Sequence, residues 1–305
     1  TMRLDELEKK AIDLGITIDM QGKKIGKTEY IRAIRECYLS RYHPNGEIPF
    51  GLDFMLTMDQ PSLCSQLKDK SLEIQDSIFN DDNYWLATKK LDGVRAIITI
   101  SENDLDMFSR NNSVSDCLPI SYGKKLIVNR DGLHPTIINA VLDCEIVATA
   151  HSVKGLEHAD THLSTATALL ALETEESVRI QKEYLDENGE PLLKFICIGA
   201  LHLNDSDLRD MAFGNSNAYA EELVRRMQST NFPIEMVEST KVNKKEFHNK
   251  YIEEGGEGTV IKDIRIPYNV DGSRAKSGWV KVKRTVNSNL DDTLDAFITG
   301  FEEAD

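Results

Sequence analysis

Lys90-Leu91-Asp92-Gly93-Val94-Arg95 is the stretch on which the reading of this chain turns. It sits inside Leu86–Ile100, where apolar residues alternate around the Asp-Gly pair. Asp-Gly flanked in this way is a strong signal for a tight β-hairpin. Taken as K-x-D-G-x-R, the hexapeptide should arise by chance in well under about one chain in a hundred of this length. A single match is a hypothesis, so its neighbours decide what it means.

Working outward, Pro135–Val147, Leu192–Leu203, Gly258–Ile264 and Trp279–Val286 are apolar and strand-like. Helical patterns lie between them at Ser65–Ile78, Ser164–Glu173 and Ala218–Met227. Interleaved helices, with strands joined by short turns, predict an α+β fold of mainly antiparallel sheets flanked by helices. The first 45 residues have another texture. Leu4–Leu14 places Leu4, Leu7, Ala11 and Leu14 on one helical face, and Gly15 stops it. A second helix is expected from Thr28, as N-cap, through Tyr30, Ile31, Ile34 and Leu39. The loop between them is basic, with Lys23, Lys24 and Lys27, and Tyr42–Gly46 reads as a linker.

The chain has 305 residues, with 36 Lys+Arg against 51 Asp+Glu and a formal net charge of −15. A hydrophobic share of 40% and a charged share of 29% describe an ordinary globular composition rather than a disordered one. There is no apolar run of the roughly 18 residues a membrane span needs, and no signal-peptide core at the start. The expectation is a cytoplasmic chain without a membrane partner. Five dispersed cysteines without C-x-x-C spacing point to free thiols rather than disulfides or a zinc ribbon. The acidic balance argues only weakly against nucleic acid, because local patches decide binding.

Further motifs follow the hexapeptide in order: Ser109-Arg110-Asn111, Leu142-Asp143-Cys144-Glu145-Ile146-Val147, Glu257-Gly258-Thr259-Val260-Ile261-Lys262, and Trp279-Val280-Lys281-Val282-Lys283-Arg284. This ordered set, across about residues 50–301, resembles the covalent nucleotidyltransferases. Within that superfamily it looks most like the ATP-dependent DNA ligases, and Lys276-Ser277-Gly278 before Trp279 is similar to the small phage-type enzymes. The chemistry has its own logic. Joining a 5′-phosphate to a 3′-hydroxyl needs a better leaving group than oxide, so the phosphate is first capped with AMP. A lysine can carry AMP as a phosphoramidate if its amine is neutral when it attacks. Free lysine titrates near about 10.4, so cationic neighbours that disfavour a further charge are part of the design.

The resemblance implies roles position by position. Lys90 would be the nucleophile, Asp92 would help to orient it, and Lys281 and Lys283 would neutralise the α-phosphate from one face of a strand. Thr88 would lie beside the adenine, where relatives usually carry Glu, and Arg95 would contact the 3′ side of the ribose. Arg110 would meet a phosphate with its forked guanidinium. Glu145 would accept from the ribose 2′-hydroxyl, and Lys262 would complete the nucleotide contacts. Glu257 would organise Mg²⁺, directly or through water. Ile198 stands where many ligases stack an aromatic on the adenine, while Phe195, three residues earlier, should face the other side. Cys144 stands where many relatives have Gly.

The implied protein is an ATP-dependent DNA ligase that seals nicked duplex DNA, as a monomer, through lysyl-AMP and an adenylated 5′-phosphate. An RNA ligase or a capping guanylyltransferase is the nearest alternative, and W-x-K-x-K favours DNA ligase over both. A nick- or end-binding module is the non-enzymatic one. Residues 1–45 resemble a SAP-type DNA-binding module, and equally a helical hairpin packed on the main body. Residues 46–290 would form the adenylation domain. Residues 291–305, with Leu294–Phe301, resemble the opening strand of an OB-fold domain whose barrel is otherwise missing from the chain. His151, His158 and His162 read as an insertion-loop surface rather than a metal site.

Overall fold

A computed structural model describes residues 3–18, 25–58, 60–102, 104–112, 117–123, 125, 136–274 and 276–283. Lys23, Lys24, Arg284 and the expected OB-type strand lie outside these residues. The chain opens with α1 (Leu4–Asp13), α2 (Lys27–Tyr42), α3 (Phe50–Leu56), β1 (Ser65–Gln66) and α4 (Leu72–Asn80). Strands β2 (Trp85–Lys89), β3 (Val94–Ile100), β4 (Leu105–Asn112), β5 (Pro119–Ser121) and β6 (Ala140–Ala148) follow. After α5 (His162–Ala171) and α6 (Thr174–Asn188) come β7 (Leu193–Leu203), β8 (Ser206–Asp207) and α7 (Phe213–Gln228). The last described elements are β9 (Ile234–Met236), β10 (Ser239–Thr240), α8 (Lys244–Glu253), β11 (Gly258–Asp263) and β12 (Trp279–Lys283).

The expected hairpin at Asp92-Gly93 does not form. β2 lies in a five-stranded sheet of order β1-β12-β11-β2-β10, whereas β3 lies in a seven-stranded sheet running β5-β4-β3-β6-β7-β8, with β9 beside β7. Residues 90–93 therefore carry the chain from one sheet to the other. The reason is packing on both faces. Ala96, Ile98 and Ile100 of β3 point into one core and Ile97 into another, so β3 is a central strand with β4 and β6 as neighbours. Gly93 serves this crossing by close approach rather than by a left-handed turn. A Cβ there would lie 2.5 Å from the Ile146 carbonyl oxygen of β6. The α+β expectation holds, and pairing is antiparallel except for β1 with β12 and β7 with β9.

Several boundaries differ from the expected ones. Ser65–Ile78 opens as strand β1 and a 3₁₀ turn, and the helix starts only after Ser71, whose hydroxyl accepts from the Ile74 N–H. Gly26, not Thr28, is the N-cap of α2, where the Glu29 carboxylate accepts from the Gly26 N–H at 3.0 Å. α3, α6 and α8 were not foreseen; α6 ends on Gly189 in the left-handed conformation. The N-terminal helices pack Leu7, Ala11, Tyr30 and Ile34 together with Cys117 of the main body. Buried Arg35 ties them down, donating to the Cys117 carbonyl at 2.7 Å and the Leu56 carbonyl at 3.3 Å. The hairpin-on-body arrangement is thus present. His162 Nδ1 lies 2.9 Å from the Ala148 carbonyl oxygen and its ring lies edge-on to that of His151, while His158 is exposed.

The core between the sheets contains Leu86, Ile97, Phe108, Val141, Phe213, Tyr268 and Trp279. One end of this space is left open as a cleft, and Gly258, whose carbonyl accepts from the Lys90 N–H, opens β11. Its φ is +149°, and a Cβ would lie 2.2 Å from the Val282 carbonyl oxygen. Gly258→Ala should therefore lower stability by roughly 2–4 kcal/mol, because it adds strain and a backbone clash. Urea unfolding measures this loss; a stability unchanged from wild type would show that the β11–β12 pair is less tightly set.

Candidate active site

On the inner face of the smaller sheet, two cross-strand rows are built by register. Thr88, Val260 and Lys281 form one, and Leu86, Lys262 and Trp279 form the next. The larger sheet answers with Arg95, Arg110, Glu145 and Ile198. Between them lies a cavity of about 440 Å³, whose lining also includes Cys64, Lys90, Tyr122 and Arg274. Eight of the eleven sequence-predicted residues thus line one cavity: Thr88, Lys90, Arg95, Arg110, Glu145, Ile198, Lys262 and Lys281. Glu257 and Lys283 flank Lys90 instead. The Lys90 ammonium is ion-paired with Glu257, and Lys283 Nζ lies 3.4 Å from the other oxygen of that carboxylate. Asp92 is exposed and does not line the cavity, so Glu257 is the carboxylate that holds the lysine.

Backbone contacts seat Lys90 at the sheet crossing. Its N–H donates to the Gly258 carbonyl at 2.9 Å, and the Tyr251 hydroxyl donates to its own carbonyl at 3.2 Å. Its neighbour Lys89 is differently placed. Burial opposes its charge, but the hydrogen bond and ion pair with Glu238, with Glu254 nearby, hold Lys89 above the ordinary lysine value. Its ammonium also lies 4.9 Å from the Tyr251 ring centre. Both lysines are thus paired with carboxylates; Lys89 faces two, Glu238 and Glu254, whereas Lys90 shares the single Glu257 with a second cation, Lys283.

The cavity concentrates positive charge in an acidic chain. Burial, with Lys283 and Arg274 nearby, pulls Lys281 below the ordinary lysine value. Burial pushes Lys262 down to about 7, against the pull of Asp143. The Lys262 ammonium donates to the Ile198 carbonyl at 3.1 Å and lies over the Trp279 and Phe213 rings. Thr88 donates its hydroxyl to the Val260 carbonyl at 3.0 Å, which closes its side chain against the strand. Phe195 is fully buried behind β7, away from the cavity that Ile198 lines. Such a crowd of cations with few anions is suited to a polyanionic ligand.

Asp143 and Tyr268 were missed as site residues. Asp143 is fully buried and takes the forked Arg95 guanidinium, with Tyr268 donating to the same carboxylate at 2.8 Å. Period two could have revealed Asp143, since it shares a strand face with Glu145. Tyr268 and Arg274 lie in an irregular stretch where no periodicity marks them.

The sequence profile of the ATP dependent DNA ligase domain matches residues 61–283, most of the chain, and spans the motifs from Lys90 to Lys283. The chain belongs to this family. Among solved structures, this ligase domain is similar to the ATP-dependent DNA ligase from bacteriophage T7 in complex with ATP, at 17% identity and a TM-score of 0.47, covering 74% of this chain and 68% of that one. It is also similar to the ligase domain of M. tuberculosis LigD, at 14% identity and a TM-score of 0.44, covering 66% and 53%. A third, Pmar-Lig_PreS3, gives 15% identity, a TM-score of 0.49, and coverage of 83% and 50%. The family assignment rests on the profile rather than on these likenesses. The ligase domain spans about half the length of the structure matched first. No relative was found among curated proteins.

Glu145 gives the ligase domain a pH signature. Burial pushes its carboxyl up to about 7, outweighing the opposing pull of Arg95. The unfolded chain releases this proton near pH 4.5 and the folded chain near 7, so the folded state binds more protons in between. Stability should therefore fall as pH rises through that window, by up to about 3 kcal/mol from this group. Glu145→Gln should match wild type near pH 4.5 and exceed it at pH 8. Urea unfolding across this range checks it, and equal pH profiles would contradict the buried-carboxyl account.

Proposed function

We propose that this chain is the nucleotide-transferring part of an ATP-dependent DNA ligase, and that Lys90 accepts AMP from ATP before passing it to the 5′-phosphate of nicked duplex DNA. The observation that carries this reading is the placement of Lys90. It stands at the crossing between two sheets, lines a cationic cavity, and shares Glu257 with Lys283, whereas Lys89 pairs with Glu238 and Glu254. In the reaction the Lys90 amine attacks the α-phosphorus. The ammonium first gives one proton to solvent; a P–N bond then forms, the P–O bond to pyrophosphate breaks, pyrophosphate carries the electron pair away, and the nitrogen releases a second proton to solvent to leave the phosphoramidate.

The other residues have roles consistent with their places. Lys281 and Lys283 extend from one face of β12 on the Lys90 side of the cavity, where they offset phosphate charge. Arg110, exposed at the mouth, is free to take a phosphate with its fork. The purine would lie between Ile198 and Val260 beside Thr88, and Glu145 and Arg95 would meet the ribose. A single carboxylate, Glu257, suits Mg²⁺ that keeps most of its waters and completes its shell with phosphate oxygens. Such an ion supplies charge neutralisation at the phosphates. Asp92 would act at the rim, where DNA or a further domain approaches. We assign residues 1–45 to a helical module and 46–290 to the adenylation domain; Leu294–Phe301, whose resemblance to an opening OB-fold strand is one of sequence alone, lies outside the described residues. We place the enzyme in the cytoplasm as a monomer; no described helix is long and apolar enough to cross a membrane.

Incubation with ATP labelled at the α-phosphate tests the reading. Wild type should become covalently labelled. Lys90→Ala should not, and Lys90→Arg should fail as well, because guanidinium stays protonated. Lys89→Ala should retain labelling within about tenfold, since it removes no transferring group. Labelling of Lys90→Ala would sink the assignment, and labelling from GTP in preference to ATP would move the chain to the capping class.

A further inference from the structure

Tyr268 belongs to none of the motifs, yet it is joined to the cavity by a buried polar chain. It lies between β11 and β12, is only 6% exposed, and its ring meets Trp279 edge-on with centres 5.6 Å apart. Its hydroxyl donates to Asp143 Oδ2 at 2.8 Å. The same carboxylate receives Arg95 through Nε at 2.6 Å and through Nη2. Nη2 also donates to the Ser62 carbonyl at 3.0 Å, and the guanidinium carbon lies 5.5 Å from the Trp279 ring centre. These contacts fix the plane of the guanidinium. Nη1 is the one nitrogen of the fork with no hydrogen-bond partner among the described residues, and Arg95 lines the cavity.

We propose that Tyr268 is a positioning residue for the nucleotide's sugar: it locks the Asp143 carboxylate, which turns Arg95 so that Nη1 is offered to a ribose hydroxyl. The assignment rests on the adenylation reading above. The carboxylate has no exposure and so cannot exchange a lost partner for bulk water. Without the tyrosine hydroxyl, one Asp143 oxygen loses its only neutral donor and the carboxylate is free to rotate with the arginine. Burial holds the Tyr268 hydroxyl well above its ordinary value, so it remains a donor throughout any assay range. A residue that merely filled space would affect stability and leave sugar recognition alone. A residue that aims Arg95 must change how the site distinguishes sugars.

The test is covalent AMP labelling of the full chain with ATP, 2′-deoxy-ATP and 3′-deoxy-ATP, for wild type and Tyr268→Phe, with melting temperatures recorded alongside. Wild type should pay a rate penalty for losing at least one hydroxyl. Tyr268→Phe should raise KM for ATP about tenfold, the scale of one buried hydrogen bond to a charged group. Its maximal rate should stay within about threefold of wild type, and its penalty for the missing hydroxyl should shrink about as much as KM rises. Should Tyr268→Phe melt below the assay temperature, Asp143→Asn keeps the side-chain volume, removes the charge that turns the guanidinium, and should give the same collapse of the penalty. Unchanged KM and unchanged sugar ratios in the folded variant would overturn the assignment while leaving the adenylation reading intact. A wild type indifferent to both hydroxyls would overturn it too. A wild type that takes no label from any of the three would overturn the adenylation reading itself.

Discussion

Two close backbone approaches hold the cleft in shape. At one, Gly93 leaves no room for a Cβ against the Ile146 carbonyl of β6; at the other, Gly258 leaves none against the Val282 carbonyl of β12. Between them the chain passes from the smaller sheet to the larger, and Lys90 is carried on that passage. The Lys90 N–H is bonded to the Gly258 carbonyl, so the two contacts are coupled through the lysine's own backbone. A side chain at either glycine would push a sheet away. Close-packed interiors absorb such shifts poorly, so the reactive lysine inherits its place from the packing of the whole domain.

The electrostatics of the cleft follow from this geometry. Facing sheets bring Lys262, Lys281, Arg95, Arg110, Arg274 and Lys90 around one cavity in a chain whose net charge is −15. Only part of that charge is neutralised internally. Asp143 is spent on Arg95 and Glu257 is shared between Lys90 and Lys283. Burial then drives Lys262 and Lys281 below the ordinary lysine range while it drives Glu145 above the carboxylate range. Groups pushed away from their ordinary values in a shared cavity are the signature of a site shaped for a charged ligand. The overall acidity of the chain says nothing about this patch, because local arrangement rather than the sum decides what binds.

Legibility in the sequence followed the periodic elements. β6, β7, β11 and β12 are visible as apolar runs, and the residues of the ordered motifs make up most of the cavity lining. The Asp-Gly hairpin misread a local turn signal, because the pairing of β2 with β11 and of β3 with β6 is decided by distant neighbours. The resemblance implies an orienting role for Asp92, which is exposed, whereas the carboxylate paired with Lys90, Glu257, lies 167 residues away, and no local pattern links the two. Helix α6 was missed because its surface is dominated by charged residues, with Ser177, Ile180 and Gln181 as its buried positions. Tyr268 left no signal at all: an isolated aromatic in an irregular stretch gains its meaning only from the carboxylate it reaches.

One covalent bond, from Lys90 to AMP, decides what this chain does. Intact mass and peptide mapping of the wild-type protein after incubation with ATP and Mg²⁺ measure it most directly. The protein should gain the mass of a single AMP, the gain should map to the peptide containing Lys90, and it should be lost on adding pyrophosphate, which reverses the P–N bond formation. No gain in mass, or an AMP carried on Lys89 or any other residue, would contradict the account.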